Sequence, residues 1–100
     1  MVSAHRISWE KLSWPQIAEL DRDLTTIIIP TGAIEQHGPH LTLDTDIYNA
    51  DAIARAVAKT VKNQRVLVAP PIWWGTSPHH LGFPGTLSLK NETFTKILVD

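Results

Sequence analysis

The sequence predicts an α/β fold built on a mainly parallel sheet. Two short runs rich in β-branched and apolar residues, at 25–30 and 65–69, read as strands, the first of them buried on both faces. Between them, Ala50, Ile53, Ala54, Val57, Ala58 and Val61 recur at helical spacing, so the stretch 47–62 reads as the crossover helix of a β-α-β unit. The residues that carry chemistry gather just after each strand, where an open α/β sheet places its binding crevice.

The 100 residues, 43% of them hydrophobic, suffice for one domain near the lower end of comfortable core building. Nine basic and ten acidic side chains nearly cancel, so no basic surface argues for nucleic acid or an anionic membrane as partner. The chain has no cysteine, which leaves only oxygen and nitrogen as metal ligands and fits a cytoplasmic protein. Met1-Val2-Ser3-Ala4-His5-Arg6 leads into no stretch of signal-peptide length, and no run approaches membrane-spanning length.

Taken in order, Ser13-Trp14-Pro15-Gln16 reads as a helix start. Ser13 is the N-cap, Pro15 sits where its missing N–H is harmless, and Gln16 occupies the capping-box position. Trp14, Ile17 and Leu20 then fall at helical spacing and are expected to cover one edge of the sheet. After the strand at 25–30 and the helix at 47–62, Lys59 and Lys62 suit the negative end of the helix dipole. The strand at 65–69 is stopped by Pro70-Pro71, which remove two donors. A long loop follows, with a further element near 86–89. Asn91 is expected as the N-cap of a final helix carrying Phe94, Ile97 and Leu98 on its apolar side. That helix reads as stopping in mid-course at Asp100, with neither glycine nor a terminal basic residue.

The loop after the first strand is the most informative stretch. Glu35 and His37 are two apart, so an extended backbone sends both side chains from one face, and Asp46 returns toward them across a Gly-Pro turn. A carboxylate, an imidazole and a second carboxylate so placed read as a site for a divalent ion. The plainer alternative is that Asp44 and Asp46 cap the helix that begins there. In the second loop, Trp73 and Trp74 read either as packing or as the wall of a pocket, with packing favoured. His79 and His80 are neighbours, and in an extended segment only one of them points inward.

Glu35-Gln36-His37-Gly38, followed by His40-Leu41 and Thr45-Asp46, resembles the signature of the creatininase (creatinine amidohydrolase) family. Gly75-Thr76-Ser77-Pro78-His79-His80-Leu81-Gly82-Phe83-Pro84-Gly85-Thr86 resembles its second signature, in the same order and at similar spacing. The one departure is Thr42, where the family usually has proline. The resemblance implies a three-layer α/β/α sandwich with a mainly parallel sheet, of which residues 1–100 would be the N-terminal part of a single, larger domain. It implies two divalent ions, zinc or manganese, with Glu35 on one, His37 on the other and Asp46 bridging, while the remaining ligands lie in a later portion. It favours His80 as the pocket-facing histidine, with Ser77 and the two tryptophans as further substrate contacts and His40 supporting the ligands from behind. No catalytic residue is assigned within the segment.

The reaction so implied is hydrolysis of a cyclic or small linear, non-peptide amide C–N bond by a metal-activated bridging water. The segment would hold about half of the site and be inactive alone, in a protein expected to form homo-oligomers, often hexamers. The alternative is a non-catalytic fragment or assembly subunit that needs a complementary chain.

Overall fold

The computed structural model describes residues 4–100. The expectation for the extreme N-terminus falls, at residues 1–3, outside them. The chain divides into two compact units, Met1–Pro30 with Asp51–Pro71, and Thr31–Ala50 with Ile72–Asp100.

The first unit contains helix α1 (Ala4–Ile7), helix α2 (Trp14–Ala18), strand β1 (Thr25–Ile28), strand β2 (Arg65–Val68) and the greater part of helix α3 (Thr45–Thr60). The two strands pair in parallel, Thr25 opposite Arg65 through Ile28 opposite Val68, and Ala69 N–H donates to the Ile28 carbonyl at 2.8 Å. A parallel pair joined through a helix is the expected β-α-β unit. The α2 start is a complete capping box: Gln16 N–H lies 3.5 Å from Ser13 Oγ, and Ser13 N–H donates to Gln16 Oε1 at 2.9 Å. Asp21 similarly accepts from Asp23 N–H at 3.0 Å and sets the turn that enters β1.

The core of this unit is one cluster of Ile7, Ala54, Ala58, Val66 and Val68, with Ile28 and Val61 packed against it. Each fully buried valine or isoleucine contributes roughly 1.5–3 kcal/mol of transfer free energy. Leu67, on the opposite face of β2 from Val66 and Val68, is also fully buried, so β2 is covered on both faces. Strand β1, expected to be buried on both faces, is not, because Ile27 is 44% exposed and Ile29 beyond it 54%. Among the described residues β1 has β2 on one side only, whereas β2 also takes a parallel bridge from Ser8 to Val68.

Two expected apolar faces prove narrower than their periodicity. Trp14 is 81% exposed, leaving Ile17 and Leu20 to line a cavity shared with Thr25 and Ile27 of β1. In α3 the buried positions are Ile47, Ala54 and Ala58, while Ile53 and Val57 face outward. Residues 47, 54 and 58 keep seven- and four-residue steps; 53 and 57 lie about a quarter-turn round the helix. Arg55 instead ties α3 inward, donating from Nη1 to Ser8 Oγ at 2.7 Å and from Nε to Asp51 at 3.0 Å.

The second unit is largely loop, held by sparse backbone pairing, with the first turn of α3 and the final helix α4 (Asn91–Val99). Thr31 bridges Ile72 in parallel and Ile34 bridges Leu87 antiparallel, so the element expected near 86–89 is a single bridge rather than a strand. The α4 N-cap is Lys90, not Asn91, and it makes no side-chain cap; Asn91 is already helical. No helix among the described residues is long and apolar enough to cross a membrane.

Candidate metal centre

The loop between β1 and α3 is shaped by a close backbone approach. A Cβ at Gly32 would lie 2.7 Å from the Ile47 nitrogen, so only glycine lets residues 31–33 run against the first turn of α3. Beyond that crossing, the loop is clamped on both sides of Glu35. Leu87 N–H donates to the Ile34 carbonyl at 2.9 Å, and Glu35 N–H donates to the Leu43 carbonyl at 3.2 Å. Gly38 turns the chain with φ of 77°, a conformation that costs side-chain-bearing residues energy. Thr42 Oγ1 donates to Asp44, and Thr45 Oγ1 donates to the Thr42 carbonyl at 2.7 Å, so the helix starts in a fixed register.

This scaffold brings Glu35, His37 and Asp46 together, each half-buried, with one ligand atom from each lying within 4.8 Å of the others. His37 Nε2 is 3.1 Å from Asp46 Oδ1, and its Nδ1 is 3.2 Å from the Glu35 carbonyl oxygen. Asp46 therefore engages the imidazole rather than a backbone N–H of its own helix, and Asp44 takes the Thr42 hydroxyl. Both carboxylates still stand at the positive end of the α3 dipole. The bond to the Glu35 carbonyl raises the His37 pKa above the ordinary imidazole value; burial opposes this and the Asp46 carboxylate adds to it. Glu35 is shifted the other way. The adjacent Ser77 hydroxyl holds its carboxyl below the ordinary value, against the effect of burial and with help from His80.

Ser77 is 1% exposed, and its N–H donates to Ser88 Oγ at 2.8 Å. Its hydroxyl is close enough to favour the charged form of Glu35, yet neither Ser77 Oγ nor Glu35 Oε2 has a hydrogen-bond partner of ordinary geometry. A buried carboxylate oxygen without a donor is costly unless a cation takes it. The His37 ring fits the same purpose: the Glu35 carbonyl requires a hydrogen on Nδ1, and Nε2, which faces the Asp46 carboxylate, is the nitrogen that a cation would share with Asp46 in place of a proton. The residues present thus fit a divalent ion.

The other expected site residues are placed unevenly. His79 and His80 occupy a 3₁₀ turn, Pro78–His80, with ring centroids 4.2 Å apart. Alternation along an extended chain does not apply to such a turn, and both offer a ring nitrogen within 4.8 Å of the Glu35 carboxylate group's ligand atom. Pro78 after Ser77 was the available sequence signal for the turn. Trp73 and Trp74 are more than half exposed and line an apolar groove with Ile72, Leu89 and Ile97, outside the ligand cluster. His40 is exposed, its ring set against Gly38, and shares no hydrogen bond with Glu35, His37 or Asp46. Sequence reading passed over Gln36, whose Nε2 lies 2.9 Å from His80 Nδ1. Its only local signal was its position between two ligand candidates.

The family model described as creatinine amidohydrolase matches residues 10–100. The chain belongs to the creatininase family. Its creatininase relatives include a mycofactocin precursor peptide peptidase of Mycobacterium ulcerans (strain Agy99), 40% identical over 89 residues, covering 83% of this chain and 36% of the relative. A 3-dehydro-scyllo-inosose hydrolase of Thermotoga maritima is 36% identical over 94 residues, covering 93% of this chain and 29% of that protein. A creatinine amidohydrolase of Pseudomonas putida is 29% identical over 96 residues, covering 90% of this chain and 36% of that enzyme. The chain thus spans about a third of the length of the curated relatives it matches. Creatininase-family membership carries metal dependence as a general property, and Glu35, His37 and Asp46 are the chain's own candidates for it.

Proposed function

We propose that the chain supplies one side of the metal centre of a creatininase-type amidohydrolase, with Glu35, His37 and Asp46 as ligands and Asp46 shared between two ions, zinc or manganese. The observation that carries this reading is the convergence of those three side chains, with His37 held by the Glu35 carbonyl at Nδ1 and turned to Asp46 at Nε2. Bound divalent ions lower the pKa of a water to near neutrality and polarise a carbonyl, which is the chemistry that amide hydrolysis requires.

The chain's own residues do the rest. The Ser77 hydroxyl beside Glu35 favours its ionised form, which presents a full negative charge to a cation. Gly32 sets the loop against α3 and fixes the distance from Glu35 and His37 to Asp46. Ser77 and His80 border the same carboxylate and are assigned to substrate, with Trp73 and Trp74 further out, while His40, its ring against the Gly38 turn, is assigned to support the ligand loop. On this reading residues 1–100 are part of one creatininase-like domain in a cytoplasmic homo-oligomer, a share consistent with the 29% to 36% coverage of the relatives.

The proposed substrate is a small cyclic or linear amide. A peptide amide is the second reading, favoured by the 40% identity to a relative named as a peptidase. The test is activity of the full-length protein, loaded with zinc or manganese, against creatinine, small linear amides and short peptides, with metal content measured on the same samples. Asp46→Asn is expected to lose metal and to lower kcat by at least about 100-fold, the upper end for disturbing even the supporting shell of a metal site. Wild-type kcat and metal content in that variant would refute the assignment.

A further inference from the structure

Two overlapping sets of ligand atoms share Glu35: one with His37 and Asp46, the other with His79 and His80. Distance alone does not separate them, but the hydrogen bonds made by the His37 and His80 rings do. His37 Nδ1 faces the Glu35 carbonyl, which only accepts, so Nδ1 carries a hydrogen, and Nε2, turned to the Asp46 carboxylate, is the nitrogen that a cation shared with Asp46 would take in place of a proton. His80 Nδ1 faces the side chain of Gln36 at 2.9 Å. The orientation of that amide is fixed from its other end, because Gly38 N–H donates to Gln36 Oε1 at 2.9 Å and only the oxygen can accept. The NH₂ group therefore points at His80, and His80 Nδ1 is an acceptor. A neutral His80 must then carry its hydrogen on Nε2, and a nitrogen bearing a hydrogen offers a metal no lone pair.

We propose that Gln36 is a positioning residue that holds His80 out of the metal ligand set and presents its Nε2–H as a hydrogen-bond donor to an acceptor oxygen of the substrate. The inference rests on the reading of Glu35, His37 and Asp46 as ligands. It explains why a glutamine stands between two of them: its backbone shares their loop, while its side chain reaches a histidine 44 residues away. The positive φ of Gly38 lets that residue turn its N–H onto Gln36. The same turn that shapes the ligand loop thereby sets the tautomer of the second loop's histidine.

The experiment is long-range ¹H–¹⁵N correlation on ¹⁵N-labelled full-length protein, at a pH where the histidines are neutral, with His80 assigned by the signal lost in His80→Gln. The expected result is Nε2–H at His80 and, in Gln36→Glu, a switch to Nδ1–H, since a carboxylate in place of the amide can only accept. An Nδ1–H tautomer in the unsubstituted protein, or one left unmoved by Gln36→Glu, would overturn the proposal. Zinc content gives a second readout that survives if Gln36→Glu does not fold. His80→Gln should retain the full zinc content, whereas Glu35→Gln and Asp46→Asn lose it; zinc lost with His80 would place it among the ligands and end the proposal. Absence of zinc in the unsubstituted protein would instead defeat the metal reading, and the tautomers would still decide the role of Gln36.

Discussion

A buried hydroxyl with no hydrogen-bond partner is costly, and Ser77 holds one beside Glu35. Its removal should therefore be cheap for the fold and visible at the carboxylate. Ser77→Ala is expected to change unfolding free energy by less than about 1 kcal/mol, since no side-chain hydrogen bond is broken, and to let the Glu35 pKa rise toward the ordinary value. Urea unfolding and a carboxyl titration by NMR check the two halves; a loss above about 2 kcal/mol would mean the hydroxyl is bonded after all. Residues of this kind differ in how far the sequence reveals them. Glu35 and His37 were legible because a two-residue spacing is a local rule, and Asp46 because a turn lay between. Gln36 was not, since its partner His80 comes from another loop, and the sequence carries no local trace of that hydrogen bond. Ser77 was picked out by motif resemblance, but its burial was not foreseen.

Elements were read well where one periodicity sufficed. Both strands and α3 begin and end within about two residues of expectation, as boundary uncertainty allows. What failed was the inference from apolar spacing to burial at Trp14, Ile27, Ile53 and Val57, because burial depends on what lies opposite each face. Glycine offers the sharpest element-scale test. At Gly32 a methyl group would meet the Ile47 nitrogen at 2.7 Å and its Cα at 2.8 Å, whereas at Gly82 nothing lies within 4 Å. Gly32→Ala should destabilise the protein by roughly 1–3 kcal/mol, the range for overpacking a tight contact, and should weaken zinc binding by shifting the loop from the first turn of α3. Gly82→Ala should do neither, within about 0.5 kcal/mol. Equal effects of the two substitutions would show that the loop does not depend on that crossing.

For the molecule as a whole, the question is what holds the unit that carries Glu35, His37 and Asp46. That unit has few regular elements: apart from α4 and the first turn of α3, isolated bridges and loop hydrogen bonds organise it. Its buried side chains are few, Ile47 and Ser77 among the described residues, against the aliphatic cluster of the other unit. On the proposed reading, a cation held by Glu35 and His37 from the loop and Asp46 from the helix would close the chain segment 35–46. It would do so only in the folded state, so its binding free energy would add to stability by mass action. At about a hundredfold excess over Kd the gain is about 2.7 kcal/mol, enough to move a thermal midpoint by several degrees in a domain of this size. Zinc or manganese is therefore expected to raise Tm of the full-length protein and a chelator to reverse the rise. In Asp46→Asn the same addition should leave Tm nearly unmoved, while magnesium, which prefers an oxygen shell and keeps its waters, should shift even the unsubstituted protein less. A rise in Asp46→Asn as large as in the unsubstituted protein would place the stabilising cation elsewhere, since a site missing its shared carboxylate has lost the ligand that joins loop to helix.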